Sequence, residues 1–109
     1  MTIMFCALAG SPLILRLYGS ATAIHRADNL WDRYVVLFPE YVGSRQLNLL
    51  NIDVVQTSCG MSVPLFDFVS DRDNLTKWAE KKGKDGIQKY WEEKNQKSLD
   101  GYDTKILKL

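Results

Sequence analysis

The chain has 109 residues, of which 46% are hydrophobic and 11% aromatic. That is enough for one domain with a core and too apolar for a compositionally disordered segment. Its formal charge of +1 excludes a global field that would gather nucleic acid or an anionic membrane, so function must rest on local features.

The first segment reads as a hairpin. Thr2 to Leu8 is a short apolar run of the kind that forms a doubly buried strand. Ala9-Gly10-Ser11-Pro12 carries turn chemistry. Leu13 to Ile24 is a second strand with Arg16 as its only charge, and Gly19 marks a bulge or a close backbone approach. Asp28 is placed as the N-cap of a short helix in which Leu30, Tyr34, Leu37 and Phe38 fall at helical spacing before Pro39 stops the run. Gln46 to Thr57 is the third strand, with Leu50, Ile52 and Val54 on one face and Leu47, Leu49, Asn51 and Asp53 on the other. Ser58-Cys59-Gly60 then makes a turn or bulge, and Pro64 argues against a central strand beyond it.

From Ser70 the composition changes. Ser70 and Asp73 resemble a capping box. Leu75, Trp78 and Ala79 give a helical stripe that Gly83 ends, and a second short helix begins near Asp85 with Ile87, Tyr90 and Trp91 on one face. Beyond Asn95 the tail is polar. The chain divides on this reading into residues 1–69, residues 70–97 as a helical extension, and a polar tail over 98–109. Three strands are few for a self-contained sheet, so another segment or a second copy is expected to complete it.

Two cysteines, Cys6 and Cys59, and one histidine, His25, form neither a CxxC pair nor a metal-ligand cluster. Two free thiols in a reducing compartment are expected. The apolar run at Ile3–Leu8 lacks a basic flank and is interrupted early, and no stretch reaches the length of a membrane span. The expectation is a soluble, cytoplasmic chain that binds neither membrane nor nucleic acid.

Two places carry candidate chemistry. At Ser58-Cys59-Gly60, a glycine at a strand end lets backbone approach a ligand while a thiol or hydroxyl hydrogen-bonds a flat heterocycle. The rival reading is a bulge with a buried structural cysteine. Arg16 inside an apolar strand needs a partner, either a phosphate or carboxylate from a ligand or, at a sheet edge, an acidic side chain. His25-Arg26 lacks the neighbours of a catalytic histidine and reads as a surface turn. The lysines around Trp78, Tyr90 and Trp91 follow helical periodicity with offsetting acids, as a solvated face over a packed stripe does. No catalytic residue and no metal ligand is assigned.

Four stretches in order resemble the pyridoxamine 5'-phosphate oxidase-related FMN-binding split-barrel proteins with a C-terminal helical extension. They are Ile3-Met4-Phe5-Cys6-Ala7 with Ile14-Leu15-Arg16-Leu17-Tyr18-Gly19, then Leu37-Phe38-Pro39, then Ser58-Cys59-Gly60 with Val63-Pro64-Leu65. The fourth is Trp78-Ala79-Glu80-Lys81-Lys82-Gly83 with Tyr90, Glu93-Lys94-Asn95, Ser98 and Asp100-Gly101. The resemblance implies an α+β fold: a partial split β-barrel of mostly antiparallel strands with the C-terminal helices packed outside. It also implies a homodimer with FMN between protomers and an oxidoreductase-like role, with Ser58, Cys59, Gly60 and Arg16 nearest the flavin. Relatives carry a further segment before the Ile3-Met4-Phe5-Cys6 strand, which supplies early strands and groups for the flavin phosphate. This sequence starts at that strand, with Met1 read as an internal start, a truncation or a natural short form. The competing expectation is a cofactor-free interaction module that dimerises or complements a partner through exposed barrel strands.

Overall fold

The computed structural model describes residues 1–107. Along the chain run β1 (Thr2–Cys6), β2 (Ile14–His25), the short helix α1 (Trp31–Val35), β3 (Gln46–Ser58) and the long helix α2 (Asn74–Lys94). The class is α+β, and the order of elements is the one the periodicities predict. The three strands form an open sheet in the order β1-β2-β3. β1 and β2 pair antiparallel, with Met4 opposite Arg16 and Cys6 opposite Ile14. Side-chain bonds from Arg16 to Ser58 and from Tyr18 to Gln56 fix β2 and β3 as antiparallel as well, because the partner number falls as the strand number rises.

The chain separates into two compact units, one made of Met1–Thr22 and Asn48–Asp71, the other of Ala23–Leu47 and Arg72–Leu109. In the first, the hairpin closes with the Ala7 amide donating to the Leu13 carbonyl at 2.9 Å around Gly10, whose φ of 71° suits glycine. Gly19 carries no Cβ for a packing reason: one there would overlap the Asn51 carbonyl oxygen of β3. Among the described residues of this unit Gly60 alone is buried. Ile52 and Val54, predicted on an apolar face, are 51% and 54% exposed, and Val55 on the opposite face is exposed as well. In this unit the β3 side chains from Asn51 to Thr57 are exposed, and those of Ile14–Gly19 in the central strand are half-buried.

The second unit holds the core. Ile24, Ala79, Ile87 and Trp91 are buried, and Val42, Ile106 and Leu107 pack against the cluster of Ala79, Ile87 and Trp91. Ile87 and Trp91 stand at i and i+4 on one face of the helical segment after Gly83, and Ala79 joins them from the segment before it. Burial of side chains such as Ile87 and Trp91 contributes roughly 1.5–3 kcal/mol each. The tail folds back onto this unit, with the Thr104 hydroxyl donating to the Asn95 carbonyl and a bridge between Lys97 and Asp103.

The helix ends differ in detail from expectation. Asp28 does not cap α1: its carboxylate reaches back to the His25 amide at 2.6 Å, closing the turn after β2, and Leu30 stands at the cap without a side-chain bond. α1 stops at Val35 and tightens into two turns, Leu37 to Tyr34 and Phe38 to Val35, because the residue before Pro39 is disfavoured in a helix. The Ser70–Asp73 capping box does not form either. α2 starts at Asn74, and the Asp73 carboxylate pairs with Lys77 one turn on. Leu75, expected in the packed stripe, is exposed in that first turn. Gly83 breaks α2 with φ 65° and ψ 176°, so the two predicted helices run end to end across a kink.

Candidate functional site

β-Strand alternation places Arg16 and Tyr18 on one face of β2, and antiparallel pairing brings Ser58 and Gln56 beside them from β3. An Arg16 Nη1 hydrogen donates to the Ser58 hydroxyl oxygen at 2.9 Å in a half-buried setting. The Tyr18 hydroxyl donates to Gln56 Oε1 at 3.1 Å, nearer solvent. Two of the sequence-chosen residues, Arg16 and Ser58, are thus in direct contact although far apart in the chain. Cys59 and Gly60 follow immediately at the end of β3.

The arrangement is electrostatically unbalanced. Arg16 lies in the central strand rather than at a sheet edge, and among the described residues no carboxylate stands within 4 Å of its guanidinium. Among the described residues only one of its N–H groups is engaged, leaving the rest of the donor fork for an anion or a carbonyl. Ser58 accepts from Arg16, which leaves its own hydroxyl hydrogen to donate. The face can therefore present a positive charge and several donors to a phosphate or to the polar edge of a heterocycle.

Cys59 and Gly60 divide. Cys59 is exposed and unpaired, which overturns the reading of a buried structural cysteine, and Cys6 is free as well. The physical reason is the turn itself, which directs residue 59 outward as residue 60 turns inward. Gly60 is buried against the start of β2, where an added Cβ would stand 2.9 Å from the Leu13 amide nitrogen. Packing on Leu13 accounts for that glycine without a ligand.

One side chain with a conspicuous environment was missed by sequence reasoning. Arg26, read as part of a surface turn, donates from Nε to the Ser44 carbonyl at 2.6 Å and from Nη2 to the Val42 carbonyl at 3.2 Å. Its guanidinium carbon lies 5.7 Å from the Trp31 ring centre and 5.5 Å from that of Trp91. The available signal was weak, an arginine at a strand end with tryptophans elsewhere in the chain. Similarly, Lys82 lies over Trp78 and Tyr90, whose rings meet edge to face at 5.1 Å across the Gly83 kink. The aromatics of the lysine-rich helix are thereby engaged with their own helix.

Among the described residues no cluster of three or more His, Cys, Asp or Glu could hold a metal ion, and no helix is long and apolar enough to cross a membrane. No family model matches the sequence, and no solved structure matches it. A curated relative does: the pyridoxamine 5'-phosphate oxidase family protein ustO of Aspergillus flavus is 34% identical over 115 aligned positions. The match takes in 92% of this chain and 46% of the relative, so the chain spans a little under half the length of the protein it resembles.

Proposed function

We propose that the chain belongs to the pyridoxamine 5'-phosphate oxidase-related family, which its match to a protein of that name supports, and that it forms part of an FMN-binding, oxidoreductase-like split barrel. On this reading the open sheet is the later portion of the barrel, completed by further strands or by a second copy in a homodimer. The observation that carries the proposal is the Arg16–Ser58 pair, a sheet-borne guanidinium with no carboxylate partner among the described residues and a hydroxyl hydrogen-bonded to it. Arg16 would hold an anionic or carbonyl group of the flavin, Ser58 would donate to it, and Cys59 at the exposed turn would border the ring. Gly60 supports the turn through Leu13. When bound, FMN would supply the redox chemistry; this chain would contribute position and positive potential.

The test is the visible absorption and emission spectrum of the purified chain after FMN is added and the excess removed. Retained flavin with quenched or shifted emission is expected. Arg16→Gln should weaken retention by roughly tenfold or more, since a hydrogen bond from a charged donor is worth about 1.5–3 kcal/mol. Equal affinity in Arg16→Gln and Ser58→Ala would remove these residues from the site.

A second reading is supported by the exposed β3 side chains: a cofactor-free interaction module that pairs through its strands. β1 and β3 are both edge strands, and β3 presents 13 residues of backbone. A folded chain that retains no flavin but self-associates by light scattering would favour this reading over the first. A stable, flavin-free monomer would speak against both.

A further inference from the structure

We propose that the cavity beside Arg26 binds a small, flat, apolar organic monoanion, in chemical class an aromatic carboxylate. The cavity has a volume of about 310 Å³ and is built only from residues of the second unit, namely Arg26, the α1 region with its following loop, and Lys84. It shares no residue with the sheet face described above. Its volume lies at the lower end of the roughly 300–1,000 Å³ typical of small-molecule sites, which limits the occupant to a few fused or linked rings.

The walls select for an apolar body. Trp31, Val35, Phe38 and Tyr41 line the cavity. Phe38 and Tyr41 are 57% and 49% exposed, so a flat ligand would remove apolar and aromatic surface from water.

The charges select the polar end. Arg26 and Lys84 line the cavity with Glu40 as their counterweight, two cations to one carboxylate, which leaves one positive charge in excess. Among the described residues no carboxylate lies within 4 Å of Arg26 or Lys84 and no cation within 4 Å of Glu40. Arg26 is anchored by the Val42 and Ser44 carbonyls and by two indole faces, so its position is preset before a ligand arrives. Its partners there are neutral, and its charge remains uncompensated. Lys84 follows the Gly83 kink and offers a mobile ammonium that can close on a carboxylate. Glu40 disfavours a second negative charge on the ligand.

The test titrates the full chain with 2-naphthoate by isothermal titration calorimetry while the tryptophan indole N–H signals are followed by NMR. Saturable one-site binding is expected, with the Trp31 signal shifting. The neutral amide of the same ring system, 2-naphthamide, should bind at least fivefold more weakly. Lys84→Gln, a change on a solvated helix side chain, should weaken naphthoate about fivefold and leave the amide unaffected. Absence of saturation overturns the proposal, as does equal binding of acid and amide or an inert Lys84→Gln.

Discussion

A Cβ at Gly60 would meet backbone atoms of Leu13, and backbone yields far less readily than the tip of a side chain. Gly60→Ala is therefore expected to destabilise the fold by about 1–3 kcal/mol, the usual cost of forcing atoms into a filled space. A lower urea midpoint in far-UV circular dichroism would register it, and an unchanged midpoint would mean that the turn relaxes at no cost. Binding and stability are entangled at this residue, so Arg16 and Ser58 are the positions at which a ligand effect can be read separately. Arg16 was legible in the sequence because a lone charge in an apolar strand demands a partner. Its contact with Ser58 was not, because strand register is set by pairing rather than by local pattern. Arg26 escaped for a related reason: its two indoles and two carbonyls come from separate stretches of chain and meet only in the folded unit.

In α2, the Gly83 torsions of φ 65° and ψ 176° fall in a region that is open essentially to glycine alone. Gly83→Ala should cost about 1–3 kcal/mol if the kink persists. The alternative is straightening, which would pull apart the Trp78–Tyr90 edge-to-face pair that spans it. Either response lowers the thermal midpoint, and straightening also changes the near-UV dichroism of the aromatic pair. A variant with the parent's midpoint and near-UV spectrum would refute a structural role for the kink. This break was legible, because a glycine between two apolar stripes reads as a C-terminal cap followed by a restart. The ends were less so. Asp28, Ser70 and Asp73 are all good capping residues by type, yet local partners at His25 and Lys77 claimed Asp28 and Asp73. The strands were placed well because their apolar runs are bounded by Gly10-Ser11-Pro12 and by Cys59-Gly60, residues that end a ladder by geometry.

For the whole molecule, the two units differ sharply in what holds them. The buried side chains Ile24, Ala79, Ile87 and Trp91 all belong to the second, and the sheet unit has backbone pairing but no enclosed apolar centre. Amides of β1 and β3 should therefore exchange with solvent much faster than those around Ile87 and Trp91 in the isolated chain. Association or a bound ligand on the sheet should slow them selectively. Hydrogen exchange followed by NMR measures both, and equal protection of sheet and helix in a dilute monomer would contradict this picture. The strand count leads to the expectation that another segment or a second copy completes the sheet, and these three strands carry no signal that chooses between the two.

The placement of the indoles has a practical consequence for every melting curve. Trp31, Trp78 and Trp91 all lie in the helical unit, and of the five tyrosines Tyr18 alone lies in the sheet unit. Intrinsic emission excited at the tryptophan band consequently has no reporter in the sheet unit. A single smooth fluorescence transition would look two-state even if the strands had already come apart at a lower temperature. Coincidence of that curve with one recorded from a tryptophan introduced on β3 would establish that the two units unfold together; separation would date the loss of the sheet independently of the loss of the core.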